Sequence, residues 1–369
     1  MAPVYFALQQ SQKFKPLLVV TGQHREMLDQ ALKVFGLVPD VDLNLMQPGQ
    51  TLPELSSRVL LAMGQWLRTA RPDAVLVQGD TTTVAATALA AFYEGIPVGH
   101  VEAGLRSGNL HSPFPEEMNR RLTTTLARWH FCPTDLSREN LLREGINPAQ
   151  CYVTGNTVVD ALFWTREASQ KKSIAWETLA RDLKIPPAFA ARYLAPQSAP
   201  WILVTGHRRE SFGIGFEQIC AALKAITLAH PDVGILYPVH LNPQVQQPVY
   251  RLLGDNPRIA LIPPASYENF IWLMQRCQMV LTDSGGVQEE APSLGKPVLV
   301  MRENTERPEG VEAGTSVLVG TQVEKILRET RLLLTDRAEY QRRATLRNPY
   351  GDGQAAQKIC EILHQTWFD

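Results

Sequence analysis

The chain has 369 residues and a formal net charge of −1, and 44% of its residues are hydrophobic and 20% charged. This length predicts two domains, and the composition is typical of soluble globular proteins. The near-zero charge argues against a general nucleic-acid or anionic-membrane binder, although a local anion site stays compatible with it.

Neither the cysteines nor the apolar pattern indicates export, membrane insertion or a metal site. The five cysteines are scattered and form no Cys-x-x-Cys pair, so we expect no disulfide framework and no zinc site. No run of about 18 apolar residues predicts a transmembrane helix, and the first residues carry no signal-peptide pattern. We therefore predict a cytoplasmic protein with reduced cysteines, and with no membrane or nucleic-acid partner.

Short β-branched segments alternate with longer helical patterns along the chain. In order, the predicted strands are 17–21, 74–78, 98–101, 152–154, 202–205, 235–239, 259–262, 279–282 and 297–301. Helical spacing marks intervening segments such as 82–93, 216–229 and 268–276. This alternation predicts an α/β fold of parallel sheets covered by helices on both faces.

The predicted domains are 1–168 and 169–352, with a helical tail, 353–369, packing back on the first. Proline-rich steps between about 171 and 201 predict a hinge region, because proline removes a donor and disfavours helix before it. Residues 1–10 read as the helix of a βα unit without a preceding strand. The first strand of the first domain, whose following turn normally carries phosphate-binding backbone, is therefore predicted to be missing.

Carboxylates follow or lie near two predicted strands of the first domain. Asp80 follows the strand 74–78, Glu102 ends the next strand, and Glu116 comes after a proline at a predicted helix start. Capping of a helix by Asp80, and a favourable helix dipole for Glu116, are the alternative interpretations. If the three meet at one sheet edge, they raise each other's pKa and supply both a proton donor and an acceptor.

The second domain supplies candidate anion-binding groups. His207 and Arg208 follow a predicted strand, and imidazole and guanidinium groups there suit a phosphate, although a structural salt bridge for an arginine is the alternative. Ser284-Gly285-Gly286 joins a strand to a helix, so free amides and the helix dipole point at an anion. Glu290, one turn on, is a candidate acceptor for ribose hydroxyls.

Two aromatic residues and a histidine complete the candidates. Tyr267 and Phe270 stand near a helix start and are predicted either to flank a nucleobase or to pack in the core. His240 follows a strand, either as a ligand contact or as a satisfied strand-end histidine. Neither metal-ligand spacing nor a serine-elbow motif is present. Carboxylates in one half and anion-binding groups in the other indicate a nucleotide-sugar enzyme.

Several of these segments, together with two more, resemble the signature blocks of non-hydrolysing UDP-N-acetylglucosamine 2-epimerases. The blocks occur in order across essentially the whole chain, and they are 77–83, 100–106, 115–120, 204–210, 238–243, 283–292 and 305–309. The resemblance implies a GT-B-like fold of two Rossmann-like, doubly wound domains, with the active site in the cleft between them. It also implies a homodimer that needs neither NAD nor a metal.

The resemblance further implies reversible interconversion of UDP-GlcNAc and UDP-ManNAc. The family eliminates UDP across C1–C2 to give 2-acetamidoglucal, and adds UDP back after protonation on the other face. By motif match, the implied catalytic residues are Asp80, Glu102, Glu116 and His207. The implied substrate-binding residues are Arg208, His240, Phe270, Ser284, Gly285, Gly286, Glu290 and Arg307. Gln23 and His24 match the block at which the bacterial branch binds UDP-GlcNAc as an allosteric activator.

The sequence departs from the family pattern at its start. Met1-Ala2-Pro3 corresponds to a point after the family's first strand and its Gly-Thr-Arg-Pro-Glu loop, so the chain is predicted to be a shortened copy with reduced turnover. Three alternatives therefore stand beside the epimerase. They are a hydrolysing relative that releases ManNAc and UDP, a GT-B glycosyltransferase, and a catalytically impaired UDP-sugar-binding protein.

Overall fold

The structure is a computed structural model that describes residues 1–23, 25–47, 49–172 and 175–367. The chain folds into two compact units: unit 1 comprises Met1–Ala161 with the C-terminal segment from Tyr350, and unit 2 comprises Leu162–Pro349. The predicted boundaries, after residues 168 and 352, lie a few residues further along the chain. None of the helices within the described ranges combines the length and apolarity that a membrane crossing requires.

The strands are short and pair in parallel. They are β1 (Val19–Val20), β2 (Val41–Asp42), β3 (Val75–Gln78), β4 (Val98–Val101), β5 (Trp129–Cys132), β6 (Cys151–Val153), β7 (Trp201–Thr205), β8 (Gly234–Pro238), β9 (Ile259–Ile262), β10 (Met279–Thr282), β11 (Val298–Val300) and β12 (Ser316–Leu318).

The helices that separate and cover these strands have the following bounds. They are α1 (Ala2–Gln10), α2 (Arg25–Phe35), α3 (Leu52–Ala70), α4 (Thr82–Tyr93), α5 (Glu116–Leu126), α6 (Asp135–Arg143), α7 (Thr157–Lys172), α8 (Trp176–Asp182), α9 (Pro187–Tyr193), α10 (Ile214–Ala229), α11 (Pro243–Leu253), α12 (Tyr267–Arg276), α13 (Gly285–Glu290), α14 (Pro308–Glu312), α15 (Val323–Thr335), α16 (Arg337–Ala344) and α17 (Ala355–Thr366).

Unit 1 is built on a four-stranded sheet of order β3-β4-β5-β6, while β1 and β2 form a separate pair. Helices α3 and α4 pack on one face of the larger sheet. Helices α1 and α17 share a core on the other, which contains Val4, Leu8, Ile359 and Leu363. The C-terminal helix is anchored by Asp160, whose carboxylate accepts hydrogen bonds from the first two amides of α17.

Unit 2 contains a six-stranded sheet of order β12-β11-β10-β7-β8-β9. Alternate residues of β7 point into opposite cores: Trp201 and Leu203 pack with α8, α9 and α12, whereas Ile202 and Val204 pack with α10 and α11. The sheet is thus doubly wound, as the strand–helix alternation predicts. The strand order reverses between β7 and β10, and ligands of such sheets bind at that switch point.

The predicted hinge between 171 and 201 is wrong. Within this segment the structure describes residues 171–172 and 175–201, which include the helices α8 and α9. Their side chains Leu179, Phe189 and Tyr193 are almost fully buried in unit 2. Pro187 occupies the first turn of α9, where the missing amide hydrogen costs nothing. Strands β2, β5 and β12 were not predicted, and β5 is Trp-His-Phe-Cys, without the β-branched residues on which the prediction relied.

Candidate active site

The carboxyl ends of β3 and β4 carry two of the predicted carboxylates in unit 1. Gly79, with a φ of +80°, turns the chain after β3 and is followed by Asp80. Glu102 follows β4 directly. A methyl group built on Gly79 would lie 3.6 Å from Glu102 Oε2, so the Glu102 carboxylate reaches across to the end of β3. The two neighbouring strand ends therefore bring both acidic residues to one edge of the sheet.

Asp80 is held by α5 and does not cap α4. Its Oδ2 accepts a hydrogen bond from Arg120 at 2.7 Å, and its backbone oxygen accepts one from Asn119 at 2.8 Å. The helix α4 is instead capped by the Thr81 side chain, which accepts from the amide of Val84. The capping interpretation of Asp80 is thus wrong, and its carboxylate forms an ion pair with Arg120 instead.

Glu102 adopts a backbone conformation that is unusual for a residue with a side chain. Its φ is +66°, in the left-handed region where a Cβ atom costs about 1–2 kcal/mol. Such strain persists only where the surrounding structure enforces it, and it is concentrated at functional sites. The conformation re-aims the side chain at the point where the strand ends.

Two adjacent glutamates at the start of α5 have opposite environments. Glu117 is fully buried, accepts the Ser107 amide at 3.0 Å, and pairs with Arg120 at 3.1 Å. Burial alone raises the pKa of the Glu117 carboxyl, but these partners outweigh it and the pKa lies below its ordinary value. Glu116 instead has a buried Oε2 without a hydrogen-bond partner among the described residues. Burying such an oxygen is costly unless a ligand or proton completes it.

A buried histidine supports the turn after β3. His100 Nε2 lies 2.8 Å from the backbone oxygen of Gly79, next to Asp80. Burial lowers the pKa of His100 to about 4, so the ring is neutral near pH 7. Since a carbonyl only accepts, Nε2 carries the proton. Arg106, at the end of the block 100–106, forms an ion pair with Glu144 at 2.7 Å.

In unit 2, the predicted His207 lies at the switch point between β7 and β10. Asp283, directly after β10, has its Oδ1 3.0 Å from His207 Nδ1, and its Oδ2 accepts the amides of His207 and Arg208 at 2.7 and 2.8 Å. Burial by itself raises the pKa of the Asp283 carboxyl, but His207 and the two amides hold it below its ordinary value. We did not predict Asp283, although its strand-end position was the signal that could have identified it.

A cavity of about 240 Å³ opens beside this pair, within unit 2. Four predicted residues line it: His207, His240, Phe270 and Ser284. The imidazole rings of His207 and His240 stack with 5.6 Å between their centroids. The remaining lining residues are Thr205, Gly206, Pro238, Pro264, Ala265 and Val287. Phe270 also contacts a hydrophobic core, as the core-packing alternative predicted.

The Ser284-Gly285-Gly286 segment opens the helix α13, as predicted. The Ser284 side chain makes no capping hydrogen bond. Arg307 reaches this helix start, because a methyl group built on Gly285 would lie 3.3 Å from the Arg307 guanidinium carbon. Glu289 accepts from Arg307 Nε at 2.7 Å. Backbone amides, a helix N-terminus and a guanidinium thus come together, a combination that binds phosphate.

Glu290, the predicted ribose contact, lies buried at the end of α13. Its Oε1 accepts a hydrogen bond from the Tyr267 hydroxyl at 2.5 Å. Burial raises the pKa of the Glu290 carboxyl to about 7, although the Tyr267 hydrogen bond lowers it. Tyr267 therefore acts through this carboxylate, beyond the two roles that we predicted for it.

The predicted allosteric residues are described in part. Gln23 Oε1 accepts hydrogen bonds from the Thr83 hydroxyl at 2.6 Å and the Thr83 amide at 3.2 Å, which ties it to the first turn of α4. His24 lies outside the described residues. Among the histidines, cysteines and acidic residues that are described, no group of three is arranged to hold a metal ion.

Comparisons with known proteins identify the family of the chain. A family model described as UDP-N-acetylglucosamine 2-epimerase matches residues 6–364. The chain is 55% identical to the Escherichia coli K12 UDP-N-acetylglucosamine 2-epimerase over 364 residues, which are 98% of this chain and 94% of that protein. It is 50% identical to the Campylobacter jejuni UDP-N-acetylglucosamine 2-epimerase over 98% of this chain and 93% of that protein.

Solved structures are similar over the whole length. The Neisseria meningitidis UDP-GlcNAc 2-epimerase bound to UDP-GlcNAc has a TM-score of 0.88 at 43% identity, covering 99% of this chain and 96% of that one. The S. aureus MnaA–UDP co-structure has a TM-score of 0.85 at 40% identity, covering 100% and 93%. These shares give no support to the prediction of a shortened copy. The fold is thus GT-B-like, with two Rossmann-like units, and the chain belongs to the UDP-N-acetylglucosamine 2-epimerase family.

Proposed function

We propose that the protein interconverts UDP-GlcNAc and UDP-ManNAc by inverting C2, without net hydrolysis. The observation that carries the proposal is the arrangement at the switch point of unit 2. There, Asp283 orients His207 on the wall of a cavity that Ser284, at the start of α13, also lines. This arrangement suits a nucleoside diphosphate, and family membership supports the sugar nucleotide as the substrate.

Unit 2 holds the UDP part in this proposal. His207, Arg208, Arg307 and the amides of 284–286 bind the diphosphate, while Glu290 accepts from a ribose hydroxyl. Phe270 and His240 contribute the cavity wall beside the base and phosphates. Because negative charge grows on the departing UDP, groups fixed around the diphosphate stabilise the transition state more than the ground state.

Asp80, Glu102 and Glu116 carry the proton transfers in this proposal. One carboxylate removes the proton from C2 while the C1–oxygen bond breaks, which gives 2-acetamidoglucal and UDP. A protonated carboxyl then delivers a proton to C2 from the opposite face, and the UDP oxygen forms the C1 bond again. The strained Glu102 and the unpaired oxygen of Glu116 are the features that support a role in this chemistry.

Proton NMR of UDP-GlcNAc in deuterated water tests the proposal. We expect deuterium at C2 together with the appearance of UDP-ManNAc, and both at a greatly reduced rate with the matched variant Glu102→Gln. Release of free ManNAc and UDP would instead show the hydrolysing reaction. UDP binding without exchange at C2 would show a binding protein that has lost catalysis.

We also propose the activator site that the family resemblance implies. We infer that UDP-GlcNAc binds at Gln23 and His24 and activates the reaction. Gln23 is hydrogen-bonded to Thr83, which is three residues from Asp80, so a ligand at Gln23 would lie one hydrogen bond and a short stretch of chain from this carboxylate. Strictly hyperbolic kinetics in UDP-GlcNAc, with unaided turnover of UDP-ManNAc, would contradict this regulation.

We also propose that the protein is a cytoplasmic homodimer. Helices α3, α4 and α5 of unit 1 expose large apolar side chains, namely Leu61, Phe92, Tyr93, Met118 and Leu122. These three helices are neighbours in unit 1, with α4 packed against both α3 and α5, and large exposed apolar patches are typical of interfaces. Sedimentation equilibrium should give twice the mass of one chain, and Leu61→Glu should shift the protein toward the monomer.

A further inference from the structure

A buried arginine outside the proposed contacts joins two loops of unit 2. Arg302 follows β11, and only 6% of its side chain is exposed. Its guanidinium donates two hydrogen bonds to Glu210 and two to Glu306, the latter at 2.7 and 3.1 Å. One planar side chain thus satisfies two carboxylates from segments about 90 residues apart, a geometry that lysine cannot reproduce.

The first of these segments is the His207 loop, residues 206–211. Its beginning is fixed by Asp283, which binds the amides of His207 and Arg208. Its end is fixed by the Glu210–Arg302 pair. The loop is therefore held at both ends, with His207 and Arg208 at the first attachment.

The second segment is the Arg307 loop, residues 302–307. The Thr305 hydroxyl donates to Gln288 at 2.8 Å, and Arg307 binds Glu289 at 2.7 Å, so the loop is attached to α13. Glu306, between these residues, pairs with Arg302 at 2.7 Å.

Charge connects the two loops a second time. Burial raises the pKa of Glu306, but Arg302 and then Arg208 more than offset this and bring it to about 2. The Nε atom of Arg208 is buried without a hydrogen-bond partner among the described residues. The charge of Arg208, in the His207 loop, thus also favours the charged form of Glu306 in the Arg307 loop.

We propose that Arg302 is a positioning residue that ties the His207 loop to the Arg307 loop. It gives the cations around the diphosphate one fixed arrangement. Buried ion clusters contribute little net stability, because desolvation offsets the attraction between the charges. Fixing these cations in advance, by contrast, removes reorganisation at the moment when charge grows on the leaving UDP. This inference rests on the proposed binding of UDP by unit 2.

The substitution Arg302→Lys tests the inference through two separate measurements. Calorimetric titration with UDP should show a Kd about tenfold higher, because charge-assisted contacts become misaligned. The kcat for epimerisation should fall more than tenfold at saturating substrate, with KM changed less than kcat. Adding Glu210→Gln to Arg302→Lys should cause little further loss, since both changes break the same link.

Arg343→Lys is the matched control. Arg343 is also buried in unit 2, with 8% of its side chain exposed, and it also pairs with two glutamates, Glu329 and Glu339. We expect this control to lower the Tm while leaving the Kd for UDP and kcat unchanged. If Arg302→Lys behaves in the same way, Arg302 is only structural and the inference is overturned.

The outcomes also separate this inference from the proposed function. If the unaltered protein binds UDP but shows no exchange at C2, the proposed function fails, and the Kd values alone decide about Arg302. If the unaltered protein does not bind UDP, both are overturned.

Discussion

Asp283 orients His207 across the two central strands of unit 2, because its carboxylate lies 3.0 Å from His207 Nδ1 and also accepts the His207 amide. The pairing fixes the ring and leaves Nε2 for a ligand. A carboxylate behind a histidine plays the same orienting part at metal and catalytic sites.

Asp283→Asn should therefore weaken UDP binding. If the asparagine oxygen keeps the two backbone hydrogen bonds that Oδ2 accepts, its NH₂ group faces His207 Nδ1 in place of a carboxylate oxygen, so the ring loses its acceptor and must turn or change tautomer. We expect a Kd for UDP about 10–100-fold higher and a free energy of unfolding about 1–3 kcal/mol lower. Calorimetry and urea denaturation measure these effects. Asp232→Asn, at an exposed ion pair, is the control, and an equal loss there would contradict the assignment.

Glu290→Gln should stabilise the free protein at alkaline pH while weakening UDP binding. The pKa of Glu290 is raised from 4.5 to about 7 by burial, so the folded state holds its proton where the unfolded state has lost it. Stability from this group is therefore lost as pH rises from about 4.5 to about 7, and glutamine avoids that loss. At pH 8 the variant should be more stable by about 1–3 kcal/mol, and at pH 4.5 the difference should vanish.

Denaturant unfolding of both proteins across this pH range measures the difference. A variant that is less stable than the unaltered protein at pH 8 would show that the buried, charged Glu290 carboxylate does not destabilise the folded state. If the variant is more stable but binds UDP more weakly, the Glu290 carboxylate lowers the stability of the free protein and improves UDP binding.

Glu102→Gln should separate catalysis from folding. The amide keeps the size of the side chain and the backbone conformation with φ of +66°, but it cannot exchange a proton with C2. We expect the rate of deuterium incorporation to fall about 10²–10⁴-fold, with a Tm close to that of the unaltered protein. A variant that retains a third or more of the rate would exclude Glu102 from the proton transfers.

His130→Leu should make unit 1 less sensitive to acid. Burial, with a smaller contribution from the neighbouring His100, lowers the pKa of His130 from 6.5 to about 4. Below pH 6.5 the unfolded state therefore binds a proton at this histidine, whereas the folded state binds it only near pH 4. The contribution of His130 to the free energy of unfolding is thus present above pH 6.5 and is lost as the pH falls to about 4. The variant should lose less free energy of unfolding between pH 7 and pH 5. His364→Gln, at an exposed position, should leave that loss unchanged, and equal slopes for all three proteins would contradict the prediction.

The sequence by itself was enough to identify the strand ends. A short apolar run precedes each of the candidates Asp80 and Glu102 in unit 1 and His207 and Ser284 in unit 2. Within each parallel sheet, positions that follow the strands share one edge whatever the details of packing. The start of α13 at Gly285 was predictable for the same local reason, since glycines after a strand permit the turn into a helix. The hinge prediction failed because prolines also occur in the first turn of helices, and composition alone does not distinguish these prolines from those of a linker.

Only the tertiary structure decided which charges pair. Glu116 and Glu117 are adjacent and chemically identical, yet the phase of α5 buries Glu117 against Arg120 and leaves one oxygen of Glu116 without a hydrogen-bond partner in the described part of the chain. Likewise, Arg302 meets Glu210 from 92 positions away. Local pattern fixes where a residue stands on its own element, whereas its partners depend on how separate elements pack, and no short-range spacing encodes that.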